Sequence, residues 1–199
     1  MDHSTARGFA SGPDGGEALF TDLYELTMAQ SYFRERMSAA ATFSLFTRHL
    51  PANRGYLVTA GLESVLQYLE TLRFSGDDID YLRSTAIFAE DFLEYLNEFR
   101  FTGEVWAIPE GRLQFADEPV LEVTAPIAEA QLVETFIINQ VNLQTIVATK
   151  AARCVWAAGN RAVVDFSLRR THGMDAGMKV ARCSYMVGCV ATSNVLAGK

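Results

Sequence analysis

Apolar positions along the chain recur with two periods, and the changes between them divide it into elements. From Thr21 a helical spacing runs through Leu23, Leu26, Thr27, Gln30 and Phe33 or Arg34, with Tyr24 and Met28 on an adjoining stripe. Asp22 and Glu25 fall in its first turn, where negative charge suits the helix dipole. Ala41 to Leu50 alternates like a strand, with Phe46 out of phase, and Gly55 to Thr59 reads as its partner after the turn Pro51-Ala52-Asn53-Arg54. Helices follow from Gly61 to Thr71, from a cap at Asp77-Asp78 to Arg83, and from Glu90 to Phe99, the last with Phe92, Leu93, Leu96 and Phe99 inward. Gly103 to Ile108 and Pro119 to Val123 are strand-like.

Pro126 then opens the longest element, a helix reaching about Ala158 and ended by Gly159-Asn160. It is apolar over most of its circumference around Leu132, Phe136, Ile137, Ile138, Val141, Leu143, Ile146 and Val147, the pattern of a buried strut. Its polar residues Asn139, Asn142, Gln144, Thr145, Thr149 and Lys150 therefore need partners inside, as in a helix lying against another domain or subunit. A strand from Ala162 to Leu168 follows, stopping at Arg169-Arg170; then come a loop holding Gly173 and Gly177, and a helix beginning near Ala176. If the strand persists, the two arginines point to opposite faces and only one enters a pocket. Residues 1–17, rich in Gly, Ser and Asp without an apolar face, read as a disordered tail.

Charge sharpens this picture. The chain of 199 residues carries a net charge of −7, yet Ala148 to Lys199 holds eight bases against two acids. A local cationic field in an acidic protein points to an anionic ligand and away from nucleic acid. Ligands of α/β folds gather where strands end and helix N-termini begin, so the Arg169-Arg170 loop is the place for a phosphate. No apolar run is long enough for a membrane span and the N-terminus lacks a signal-peptide core, which points to a cytoplasmic protein. Cys154, Cys183 and Cys189 are odd in number, lack C-x-x-C spacing and sit in expected helices, so they read as buried free thiols.

Candidate ligand-contacting residues follow from type and place. A guanidinium holds phosphate or carboxylate through paired hydrogen bonds, which singles out Arg169 and Arg170. Asp165 is either a satisfied strand residue or an orienter of an arginine or ribose hydroxyl; Asp175 reads as the N-cap of the next helix. Ser193 and Asn194 offer a hydroxyl and an amide, or close helix packing. Tyr24 is a core-edge aromatic or a ring offered to a ligand. His172 has no cysteine, serine or second histidine at catalytic spacing, and the ending Ser193 to Lys199 lacks the glycine a Walker loop needs. Neighbouring acids at Asp77-Asp78 and Asp117-Glu118 are weak grounds for a metal site.

Six ordered stretches resemble the nicotinate phosphoribosyltransferase family. They are Thr21 to Met28, Asn53-Arg54-Gly55-Tyr56, Trp106 to Gly111, Glu129 to Leu132 with Glu134-Thr135, Thr149 to Arg153, and Leu168-Arg169-Arg170 through Gly177 to Ser193–Gly198. The family makes nicotinate mononucleotide from nicotinate and phosphoribosyl pyrophosphate, coupled to ATP hydrolysis. The resemblance implies an α/β protein: an N-terminal α+β domain over 18–124, then a long helix and the beginning of an irregular α/β barrel of the type II phosphoribosyltransferase kind over 125–199. It also implies a homodimer whose sites borrow residues from both subunits, and Mg²⁺ at the reaction centre. Tyr24 matches the tyrosine that stacks on nicotinate, and Arg169 and Arg170 match arginines near the phosphoribosyl and pyrophosphate groups. His172 does not match the family's phosphorylated histidine, which lies in a segment beyond the Ala-Gly-Lys at which this sequence stops. The expectation is thus a truncated member, inactive alone. The alternatives are a quinolinate phosphoribosyltransferase-like enzyme, indifferent to ATP, or a non-catalytic dimerisation module.

Overall fold

The rings of Tyr68 and Phe136 lie face to face in the main core, centroids 3.7 Å apart and planes 8° from parallel. They join two of the helices in the computed structural model, which describes residues 17–199. The expected N-terminal tail lies outside the described residues except for Glu17, whose carbonyl accepts a hydrogen bond from the Phe20 amide at 3.0 Å.

In chain order the elements are α1 (Leu23–Arg34), β1 (Ala40–Phe46), β2 (Leu57–Val58), α2 (Leu62–Thr71), α3 (Gly76–Ser84), α4 (Glu90–Asn97), β3 (Glu104–Ala107), β4 (Leu113–Gln114), β5 (Pro119–Pro126), α5 (Ile127–Ala158), β6 (Val164–Asp165), a 3-10 turn (Leu168–Arg170), α6 (Met174–Met186) and β7 (Ala191–Thr192). The helices appear near their expected positions. The strand pairing does not.

β1 pairs antiparallel with β5, which also pairs with β3, in the order β1-β5-β3. β2, read from sequence as the hairpin partner of β1, pairs instead with β4. The pairing of β1 with β5 joins segments some 80 residues apart, Thr42 opposite Thr124 with their hydroxyls 2.8 Å apart. The out-of-phase Phe46 marks a register shift between Leu45 and Phe46.

α2 buries Val65, Tyr68 and Leu69, the i, i+3, i+4 set of one helix face. α4 buries Phe92, Leu93 and Leu96, with Phe99 just beyond it buried as well. Each fully buried side chain of this size contributes about 1.5–3 kcal/mol relative to exposure. α3 begins at a capping box: the Asp78 amide donates to Ser75 Oγ at 3.2 Å, and the Ser75 amide to Asp78 Oδ2 at 2.8 Å. Ser75, not the Asp77-Asp78 pair, is therefore the cap, and Asp78 supports it.

α1 faces the core differently from the sequence pattern. It buries Glu25, Leu26, Ala29 and Gln30, leaving Leu23, Tyr24 and Met28 exposed. A glutamate enters the core because Gln131 Nε2 donates to its carboxylate and Thr135 Oγ1 reaches Glu25 Oε1 at 3.3 Å. Asp22 holds the N-cap position without capping through its side chain, and accepts from Thr135 Oγ1 at 2.9 Å.

α5 has 32 residues, about 48 Å of helix. It is buried as expected along Leu132, Phe136 and Ile137, but Ile138 and Ile146 are over 40% exposed and Asn139, Asn142 and Lys150 are also outside. Three of the expected buried polar residues do find inside partners. Gln144 donates to Ser64 Oγ at 3.0 Å, Thr145 Oγ1 to the Ala60 carbonyl at 3.2 Å, and Thr149 Oγ1 accepts from the Val58 amide at 2.9 Å. The two threonine bonds fix the β2 segment to α5, and the Gln144 bond ties α2 to it. Past Gly159, β6, α6 and β7 form a strand–helix–strand unit, with Val164 opposite Ala191 and Asp165 opposite Thr192 in parallel register.

Candidate functional site

β6 ends at Asp165, and the expected strand to Leu168 is replaced by a turn that its carboxylate organises. Asp165 Oδ1 accepts from the Ser167 amide at 2.9 Å and the Ser167 hydroxyl at 2.6 Å; Oδ2 accepts from Thr192 Oγ1 at 2.8 Å. This is an Asx-type turn, in which a carboxylate replaces strand pairing as partner for the backbone. Burial pushes the carboxyl up, but the bonds from Ser167 and Thr192 outweigh it and hold Asp165 below the ordinary carboxylate range. Both oxygens are thus engaged in placing the loop, and neither orients an arginine.

The 3-10 turn then carries Arg169 and Arg170. Strand alternation no longer applies, so the expectation of opposite faces falls away; both side chains are exposed. Neither makes an ion pair among the described residues. Gly173, with φ +98°, stands at the N-cap of α6 in place of the expected Asp175, which lies in the first turn and pairs with Lys179 at 2.6 Å. Two exposed guanidiniums thus directly precede a 13-residue helix whose N-terminal amides favour anions.

Asn194 is 5% exposed and locks β7 to α6: Nδ2 donates to the Gly177 carbonyl at 3.3 Å, and Oδ1 accepts from the Ala197 amide at 3.3 Å. Its contacts are those of close packing. Ser193 is exposed, and its amide donates to the Asp165 carbonyl at 2.8 Å. His172 is exposed on the same loop.

Tyr24 is 50% exposed. The neighbouring Glu25 carboxylate, with some burial and the charges of Glu134 and Asp22, pushes its pKa up to about 12. Burial and the carboxylates of Glu25 and Asp22 raise the Glu134 carboxyl in turn, partly offset by Gln131. Tyr24 is thus a neutral ring at an acidic helix pair, sharing no hydrogen bond with the Arg169-Arg170 turn.

The eight bases of the C-terminal segment are not equally available. Arg182 is spent on carboxylates: Nη2 reaches Glu110 Oε2 at 2.6 Å and also binds Glu63. Glu110 in turn accepts from the amide of Gly61, which precedes α2. Sequence reasoning missed this cluster, since its members are 72 and 119 positions apart. It also missed Phe166, which a continuous apolar strand would bury and which the two-residue β6 leaves 70% exposed beside the arginines. The thiols are corrected too: Cys183 and Cys189 are buried, Cys154 is exposed, and Cys189 lies past the end of α6.

Residues 19–142 match the family described as the nicotinate phosphoribosyltransferase N-terminal domain. The chain is 55% identical over 182 residues to a nicotinate phosphoribosyltransferase of Mycobacterium tuberculosis, covering 92% of this chain and 39% of that protein. It is 46% identical over 187 residues to the Bacillus subtilis enzyme of that name, covering 94% of this chain and 38% of that protein. In structure it is similar to human nicotinic acid phosphoribosyltransferase, with a TM-score of 0.82, 36% identity, and coverage of 89% of this chain and 37% of the human one. The family match over residues 19–142 takes in α1 with Tyr24 and ends within α5, ahead of the Arg169-Arg170 turn. With well under half the length of these relatives but more than nine-tenths of its own sequence aligned to the bacterial two, the chain belongs to the nicotinate phosphoribosyltransferase family.

Proposed function

We propose that this chain serves the formation of nicotinate mononucleotide from nicotinate and phosphoribosyl pyrophosphate in NAD biosynthesis. The carrying observation is the pair of exposed guanidiniums on the turn ahead of α6, without an ion pair among the described residues. Arg169 and Arg170 hold phosphate oxygens of phosphoribosyl pyrophosphate and stabilise the charge that departs with pyrophosphate as the pyridine nitrogen attacks C1 of the ribose. Asp165 acts through the loop, fixing the turn that presents them. Tyr24 offers its ring to nicotinate. Its exposure, with Leu23 and Met28 beside it, suits a homodimer in which α1 of one protomer completes the arginine turn of its partner. Ser193 lies at the same strand end as Asp165, and Asn194 holds that end in place. The division into an N-terminal part over 18–124 and a helix-and-barrel part over 125–199 belongs to this reading, as does a cytoplasmic setting. No helix among the described residues is long and apolar enough to cross a membrane.

ATP and Mg²⁺ enter as co-reactants. Among the described residues no three Asp, Glu, His or Cys side chains converge as metal ligands, and Asp165 is already satisfied. Asp165 is thus not free to take a metal, and the roles of Arg169, Arg170 and Tyr24 are to bind and position. Identities of 55% and 46% to enzymes named for nicotinate favour this reading over a quinolinate-using relative. The test is incubation of the chain with nicotinate, phosphoribosyl pyrophosphate, ATP and Mg²⁺, following both ligand binding and nicotinate mononucleotide by chromatography. Binding without turnover is expected; turnover would overturn the binding-only role, and failure to bind either substrate would overturn the assignment.

A further inference from the structure

A second basic region lies apart from the arginine turn. Between the Asn53–Tyr56 loop and the C-terminal third of α5 there is an open cavity of about 620 Å³, lined by Arg54, Tyr56, Lys150, Arg153 and Trp156 among others; neither Arg169 nor Arg170 lines it. On α5, Lys150 and Arg153 share one helix face and Trp156 borders it, six residues from Lys150, or about 9 Å along the axis. Arg54, Lys150 and Arg153 form no ion pair among the described residues. Both walls come from acid-free sequence: no Asp or Glu lies between Glu35 and Glu63, or between Glu134 and Asp165. In a chain of net charge −7, three cations meet where their own neighbours supply no counter-charge. Such a field concentrates anions.

The cavity is also built to keep its shape. Thr149, adjacent to Lys150, is 1% exposed and accepts the Val58 amide at 2.9 Å; Thr145 accepts the Ala60 amide at 3.2 Å. These buried bonds fix the strand that follows the Asn53–Tyr56 loop to the helix that carries the cations. Tyr56 packs on the small cluster of Val58, Ala60, Ala148 and Cys183, which anchors the loop from the other side. The Arg54 amide closes the preceding turn onto the Pro51 carbonyl at 2.8 Å. Trp156 is 86% exposed at the rim, a flat apolar face with no aromatic ring of the described residues stacked on it.

We propose that this cavity is a second ligand site, taking a phosphorylated compound with a flat aromatic ring: phosphate oxygens on Arg54, Lys150 and Arg153, and the ring on Trp156. A nucleoside triphosphate and a pyridine mononucleotide share that chemistry. The site does not depend on the substrate role of Arg169 and Arg170, and its test leaves those residues untouched.

The chain has two tryptophans, Trp106 and Trp156, so in a Trp106→Phe background the indole fluorescence reports on the cavity alone. The probes are ATP, nicotinate mononucleotide, ribose 5-phosphate, which lacks the ring, and adenosine, which lacks phosphate. Saturable quenching by ATP, nicotinate mononucleotide or both is expected, with the tighter of the two identifying the source. Ribose 5-phosphate and adenosine should each bind at least about tenfold more weakly. Lys150→Ala and Arg153→Ala should each weaken binding about tenfold or more, with Lys150→Arg retaining it and circular dichroism unchanged in all three. No saturable quenching at millimolar ligand, or unchanged affinity in both alanine variants, would overturn the proposal, as would equal binding of the ring-free sugar phosphate.

Discussion

Arg182 on α6 and Glu110 in the turn between β3 and β4 form an ion pair, Nη2 to Oε2 at 2.6 Å, that joins the strand–helix–strand unit to the N-terminal half of the chain. Burial raises the Glu110 carboxyl, but the Arg182 guanidinium and the Gly61 amide outweigh it, leaving the carboxyl below its ordinary value of 4.5. A group whose pKa is lowered on folding stabilises the fold above its unfolded pKa and loses that contribution as pH falls through the folded value. Urea unfolding should therefore show stability falling from about pH 4.5 downward, with a shallower fall in Glu110→Gln. Arg182 is 40% exposed, so solvent screening limits the loss in Arg182→Ala at neutral pH to about 1–2 kcal/mol.

Gly61 is a position that only glycine fills. Its φ is +104°, and a Cβ there would stand 2.8 Å from the Gln140 carbonyl oxygen and 3.0 Å from Val141 Cα, both backbone atoms of α5. Neither can yield without moving the helix. Gly61→Ala should cost about 2–4 kcal/mol in a denaturant melt, from left-handed strain and overpacking together.

Thr149 and Thr145 give a related prediction about buried amides. Replacing Thr149 with Val keeps the shape but leaves the Val58 amide without its acceptor, at about 1–3 kcal/mol. The same substitution at exposed Thr42, whose hydroxyl meets Thr124 on the open face of the sheet, should cost less than about 1 kcal/mol. Matched urea titrations of the two variants measure the difference.

Gly177 links packing to the candidate site. A Cβ there would stand 2.8 Å from Leu168 Cδ1, the far end of a flexible side chain on the 3-10 turn. Gly177→Ala should therefore change stability by less than about 1 kcal/mol, because Leu168 can shift. It should also displace the turn that carries Arg169 and Arg170 and weaken phosphoribosyl pyrophosphate binding several-fold by calorimetry.

The parts of this structure that were legible in the sequence are those governed by local rules. α5 spans Ile127–Ala158 against an expectation of Pro126 to Ala158, because a long apolar run bounded by Pro and Gly leaves little choice. The inner face of α4 was read correctly for the same reason. What failed was non-local. β1 finds its partner in β5, beyond six intervening helical or strand elements, whereas proximity favoured β2. Glu25 lies in the core only because Gln131 and Thr135, over 100 positions on, supply its hydrogen bonds. At the candidate site the residue types were readable and their geometry was not. Asp165 diverts the chain into a turn through Ser167 and Thr192, and no periodicity signals that.

Calorimetric titration of phosphoribosyl pyrophosphate onto the chain, with Arg169 and Arg170 replaced singly and together by alanine, tests the central claim most directly. The account predicts saturable binding that weakens at least about tenfold in each single variant and about a hundredfold in the double, and that falls with added salt. Binding of equal affinity in a double variant that melts like the parent would contradict it.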